Sequence, residues 1–170
     1  LTLLSYALDY SIWRLNPVGY HLHNLLLHLG CVVALFFLLR QFSLHRFVVL
    51  GSIFFFFFHP VNVESVSWAS ERKNLLATLF FFLSFHQYIQ YRKTSTRLNF
   101  LLSVFCFLLS LLSKASTVVA PLVFHAYDFA FKERKLIQLQ LYDKLPFIVL
   151  AEIHTFFSIH AAGAHRALNS

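Results

Sequence analysis

Some side chains in this sequence stand where they cost free energy, and such residues mark binding or catalytic sites more often than packing does. The first group is His59-Pro60-Val61-Asn62-Val63-Glu64-Ser65-Val66-Ser67-Trp68, followed closely by Glu71, Arg72, Lys73 and Asn74. Glu64 has apolar neighbours in Val63 and Val66, and Arg72 and Lys73 open an apolar run that reads as a helix. A cation pair at a helix start opposes the macrodipole, so an anionic group should compensate it. Lys114 repeats the theme beside a second helix start, with Ser113, Ser116 and Thr117 around it. If Arg72, Lys73 and Lys114 converge next to free helix N–H groups, a phosphate is the ligand they suit. Pairing with Glu64 and Glu71, or snorkelling of the long basic stems, would also account for them. Composition does not choose between these readings.

A third group lies inside an apolar run. His21, Asn24 and His28 follow the spacing i, i+3, i+7 and form one polar stripe on a helix. Polar groups in a membrane helix turn toward neighbouring helices, so an interhelical hydrogen-bond stripe or the wall of a substrate cavity is expected. The spacing does not place two ligands on adjacent turns, which argues against a metal site. Cys31 and Cys106 each sit in an apolar run with no second cysteine nearby and read as small buried hydrophobes.

The elements that must position these residues are membrane helices. A crossing needs about 20 residues at 1.5 Å each. Spans are placed near 18–40, 45–61, 74–91, 97–113, 116–131 and 145–162. The second is the weakest: its apolar stretch from Phe47 to Phe58 reaches only ~18 Å at helical rise. Residues 1–17 carry Leu1, Leu4, Leu8 and Ile12 at helical spacing beside Trp13, as an amphipathic helix lying in the interface would. The fold class is therefore an all-α polytopic bundle of about six spans plus that interfacial helix.

Charge supplies an orientation. Arg40, Arg46, Arg92, Lys93, Arg97, Lys132, Arg134, Lys135 and Lys144 follow the first, third and fifth spans, nine in all. Arg14, Arg72, Lys73, Lys114 and Arg166 make five on the other side. The positive-inside rule puts the nine in the cytoplasm. Residues 1–17, 59–73 and 113–116 then face the periplasm or lumen.

Composition excludes the main alternatives. The chain is 58% hydrophobic and 12% charged, with 22 Phe, whereas a soluble domain carries about 25% charge. The net charge of +7 is spread as short clusters between apolar runs, so no nucleic-acid face is formed. The chain has no Met and begins at Leu1, as a piece of a longer protein would. The lipid bilayer is its expected surrounding.

Three segments carry a family resemblance: YALDYSIWRLNPVGYHLHNLLLH, HPVNVESVSWASERKNLLATLFF and LLSLLSKASTVVAPLVFHAYDF, in this order. Together they resemble the membrane half of GT-C glycosyltransferases that carry C-terminal tetratricopeptide repeats, both bacterial members and the eukaryotic transmembrane-and-TPR O-mannosyltransferases. LYDKLPFIVLAEIHTFFSIHAAGA also resembles the next helix of the bacterial members. The resemblance implies a GT-C-like fold, in the bacterial inner membrane or the endoplasmic reticulum. It implies transfer of a sugar from a polyprenyl-phosphate carrier to a protein or glycan acceptor on the extracytoplasmic face. It assigns Glu64 and Arg72 to the active site, Lys114 to the carrier phosphate and His59 to shaping the loop. Lys73 joins the phosphate-binding group by its charge and position, as does Asn74, which stands where many members have Asp. The donor is the lipid-linked sugar; no cofactor is implied, and a divalent metal is left undecided. The family's principal catalytic acid belongs to the first outer loop, upstream of the first of these segments. Asp9 belongs to the helix pattern and is not read as its substitute. The piece alone is expected to be inactive. A non-catalytic membrane scaffold and a transporter fragment are the alternatives, the latter weakened because only Gly51 interrupts a span centrally.

Overall fold

A computed structural model describes residues 1–131 and 142–168, and every regular element among them is helical. Lys132, Arg134 and Lys135 of the basic cluster lie outside the described residues. The chain divides into two compact units, Leu1–Lys114 and Ala115–Ser170.

The first unit holds α1 (Thr2–Trp13), α2 (Pro17–Leu39), α3 (Arg46–Phe58), α4 (Pro60–Ser67), α5 (Arg72–Thr94) and α6 (Arg97–Ser113). Each boundary has a local cause. Asn16 caps α2 by accepting from Val18 N–H at 3.1 Å, with Pro17 at the first helical position, where its missing N–H does no harm. Ser95 adopts a left-handed φ of 56° and lets α5 turn straight back into α6. Those two helices pack through serines. Ser84 and Ser103 each donate to the other's carbonyl at 2.8 Å, and Ser110 donates to Ala77 O at 2.8 Å. Small hydroxyl side chains let helix backbones approach closely, the usual glue between helices in lipid.

Residues 45–61, expected as one span, form two helices. Pro60 has no N–H to give Phe56 O, and His59 before it is extended at ψ 130°, so α3 ends at Phe58. The Asn62 amide takes over the lost bond, donating to Phe56 O at 2.6 Å, and His28 Nε2 donates to Phe57 O at 3.3 Å. Residues 62–67, expected between spans, are thus helical as part of α4.

The second unit holds α7 (Ala120–Phe131), preceded by a 3-10 turn over Ala115–Val119, and α8 (Leu145–Leu168). Asp128 and Lys144 form a fully buried ion pair at 2.7 Å beside the edge-to-face rings of Phe124 and Phe147. Lys144, counted above as a loop charge, is therefore internal to this unit.

By length and composition, Pro17–Phe42 can cross a membrane. Arg46–Phe58 with Pro60–Val66, bent by 48°, adds a second crossing when the pair is taken as one span. The helices at the other expected positions fall short of the six-span expectation for identifiable reasons. The 17 residues of α6 reach only ~26 Å, and α5 carries His86, Gln87 and Gln90 in its second half.

Candidate functional site

The polar residues gather at one end of the first unit, where α1 crosses the start of α2, the start of α5 and the end of α6. The α1 terminus is tied to α6: the Leu1 ammonium donates to Leu112 O at 3.2 Å and Thr2 Oγ1 to Ser113 O at 3.5 Å.

At the centre of this end is Arg72, 1% exposed. Its guanidinium forms an ion pair with Asp9, donates through Nε to Asn24 Oδ1 at 2.8 Å, and reaches Ser5 O at 3.3 Å and Tyr20 O at 3.2 Å. The rings of Tyr6 and Tyr20 lie 4.8 and 5.8 Å from it. The second Asp9 oxygen accepts from Nδ1 of His23, a side chain still 40% exposed. Asn24 Nδ2 donates in turn to Val66 O at 3.4 Å and Trp68 O at 3.3 Å. One buried cation thus joins α1, α2 and α5, and Asn24 extends the network to the end of α4. Burial raises the Tyr6 phenol above its ordinary range, with Arg72 pulling the opposite way.

Arg72 does not converge with the two lysines. Successive helical residues project about 100° apart, so Arg72 turns inward while Lys73 turns out. On the outer surface Lys73 Nζ lies 3.7 Å from Glu71 Oε1, Glu71 accepts from the Asn74 amide, and Lys114 Nζ donates to Asn74 Oδ1 at 2.6 Å. The result is an exposed ledge of two ammonium groups bridged by one carboxylate and one amide. Pairing with Glu64 and Glu71 is one of the alternatives the sequence leaves open. Glu71 does meet Lys73, but the carboxylate on Arg72 is Asp9.

Glu64 is exposed on α4, and among the described residues its carboxylate makes no hydrogen bond or ion pair. His59 caps α4, its Nδ1 accepting from Val61 N–H at 3.3 Å, and packs edge-on against Phe55. Of the polar stripe, Asn24 and His28 are buried, whereas His21 is exposed beside Val18, Leu22, Leu25 and Val66 in a shallow groove. His28 stacks on Phe56 and Phe57. Among the described residues, no group of three or more His, Cys, Asp and Glu side chains is placed to hold a metal ion.

The sequence reading missed Asp9 and His23. A signal existed for Asp9: Thr2, Ser5 and Asp9 fall at i, i+3, i+7 on one face of α1, beside the face of Leu4, Leu8 and Ile12. That polar face on a mostly apolar helix needed a partner. His23 is out of step with the stripe and gave no such sign.

Comparison with known proteins adds the following. Over 152 residues the chain is 36% identical to protein O-mannosyl-transferase TMTC2 of Homo sapiens, covering 82% of this chain and 17% of that protein. It is 33% identical over 125 residues to protein O-mannosyl-transferase TMTC4 of Homo sapiens, covering 65% and 17%. With protein O-mannosyl-transferase Tmtc1 of Drosophila melanogaster it shares 28% over 123 residues, covering 72% and 14%. The chain therefore spans about a sixth of the length of these relatives. No family model matches it, and no solved structure does. A stretch covering 82% of 170 residues necessarily includes Glu64 through Lys114, so the ledge lies within the similarity to TMTC2.

Proposed function

We propose that this chain is a membrane-embedded part of a GT-C-type glycosyltransferase of the protein O-mannosyl-transferase kind. In the longer protein it helps move a hexose, mannose by analogy with the relatives' names, from a polyprenyl-phosphate carrier to a protein acceptor. The reading includes about six helices in the bilayer, with the shorter ones completed by their flanks or by a thinned bilayer. It also places the Lys73–Lys114 ledge on the extracytoplasmic face. Arg72 and Lys144 are both neutralised by buried carboxylates. Discounting them lowers each side's count by one and leaves the charge bias as it was.

The observation that carries the proposal is the ledge itself, inside the segment shared with TMTC2 and built on a locked support. As the glycosidic bond breaks, the leaving phosphate gains negative charge. Fixed ammonium groups at Lys73 and Lys114 then favour the transition state over the ground state. Arg72 serves as a positioning residue: with its charge used internally, it fixes α5 against α1 and α2, so that Lys73 and Asn74 point outward from a rigid helix start. Glu64, exposed on α4, orients the sugar or the acceptor, and His59 and Asn62 hold α4 at the angle that presents it.

The test is transfer of radiolabelled mannose from polyprenyl-phosphate mannose to a peptide acceptor by the longer protein containing this segment. K73A and K114A should each lower turnover tenfold or more, since a charge-assisted hydrogen bond contributes about 1.5–3 kcal/mol. Unchanged turnover in both variants would refute the phosphate assignment. A non-catalytic scaffold is favoured by one observation, the full engagement of Arg72 in structural contacts. It predicts no transfer from any polyprenyl-phosphate hexose by a well-folded protein.

A further inference from the structure

A second cationic site lies at the other end of α2, and the reaction proposed above does not use it. Arg40 follows α2 directly, about 24 Å along the helix from Asn24 at 1.5 Å per residue. A 3-10 turn and Ser43, at a left-handed φ of 52°, reverse the chain so that Arg46 opens α3. Arg40 and Arg46 consequently line one cavity of about 450 Å³ with Ser43, Phe36, Val49 and Leu50.

Three features of this cavity point to an anion. No carboxylate lines it, and among the described residues neither arginine has an acidic partner. Each guanidinium lies over a ring, Arg40 over Phe36 at 5.7 Å and Arg46 over Phe47 at 5.2 Å. A guanidinium engaged through its face keeps its N–H edge for acceptors. The start of α3 is also electropositive and uncompensated: His45 makes no side-chain capping bond, the first turn has no acidic residue, and Arg46 adds a charge of the wrong sign for the dipole. An anion seated between the arginines would offset all of these at once.

We propose that this cavity binds a phosphate group, supplied by the headgroup of an anionic lipid. The lipid source is argued from the walls. Phe36, Val49 and Leu50 give the cavity an apolar side, and the adjoining Val33, Phe37 and Phe47 are exposed large hydrophobics on the same two helices. Acyl chains lie along such a surface while the phosphate meets the arginines, as in basic pockets at the cytoplasmic ends of membrane helices. The site lies at the opposite end of α2 from the ledge, so it does not depend on the transferase reading.

The experiment is native mass spectrometry of the full chain in detergent micelles, with dioleoyl phosphatidate, dioleoyl phosphatidylcholine and inorganic phosphate as separate probes. The expected result is one phosphatidate per chain, in preference to phosphatidylcholine, with binding weakened tenfold or more in R40Q/R46Q. R97Q, a change to another basic residue at a helix start, should leave binding unchanged. R40K/R46K keeps both charges, should retain part of the binding, and controls for loss of fold. Equal phosphatidate binding by wild type and R40Q/R46Q would overturn the site. Binding of inorganic phosphate with no preference for phosphatidate would overturn the lipid source.

Discussion

Asp9 is the most consequential single side chain in the first unit, and its removal can be followed quantitatively. In Asp9→Ala, Arg72 stays 1% exposed and loses its counter-ion. Removing one partner of a buried pair costs about 3–5 kcal/mol, because the other charge is left uncompensated. Here Asn24 Oδ1 and the carbonyls of Ser5 and Tyr20 still accept from the guanidinium, and two tyrosine rings still flank it. These neutral partners place the cost near the lower end, at about 3 kcal/mol, or roughly 150-fold in the folding equilibrium. Asp9→Asn keeps an acceptor in place and should cost about half as much. Asp9→Leu with Arg72→Met removes both charges and should recover stability to within about 1 kcal/mol of wild type. The assay is reversible unfolding of the full chain in mixed micelles with increasing SDS, followed by circular dichroism. A cost under about 1 kcal/mol for Asp9→Ala, or strict additivity in the double variant, would refute the buried-pair reasoning.

Other expectations follow from the same geometry. Lys144→Met removes the ammonium paired with the buried Asp128 carboxylate and should destabilise the second unit by about 3 kcal/mol, with most of it regained in Asp128→Leu/Lys144→Met; SDS unfolding measures both. Gly19→Ala places a Cβ well inside contact with the Trp13 ring, so the ring must leave α2. The cost is about 1–3 kcal/mol, and Trp13 emission should shift in a Trp68→Phe background; an unchanged spectrum would contradict the packing. Ser84→Ala/Ser103→Ala removes the reciprocal hydroxyl bonds between α5 and α6 and should cost about 1 kcal/mol in the same unfolding assay. Asn62→Ala frees the Phe56 carbonyl at the α3–α4 break and should lower stability by about 1–2 kcal/mol in that assay.

Much of the helix layout was readable because its signals are local. Pro17 after Asn16, the Ser95-Thr96 turn and the Ser113-Lys114 break each act within a few residues, and the helices start or stop there. His59-Pro60 is also local, yet the apolar run across it suggested one span. The lost proline donor decided otherwise, and Asn62 and His28 repaired the ends. The site was legible in composition and less so in pairing. Lys73, Asn74 and Lys114 fall together on one ledge, but the direction in which Arg72 points depends on a carboxylate far away in sequence. No spacing rule links Asp9 to Arg72; only the packing of α1 over α2 and α5 brings them together. Lys144 escaped for the same reason, since a loop charge and a buried partner of Asp128 look alike until α7 and α8 are packed.

The account rests on the ledge and the Arg40–Arg46 cavity lying on opposite sides of a membrane. The direct measurement is labelling with a membrane-impermeant maleimide in sealed vesicles of known orientation. Lys114→Cys and Arg46→Cys would be introduced singly into a chain with Cys31 and Cys106 replaced by Ala. The account predicts that Lys114→Cys reacts only from the extracytoplasmic side and Arg46→Cys only from the cytoplasmic side. Reaction of both from the same side, or of Lys114→Cys from the cytoplasm, would contradict it.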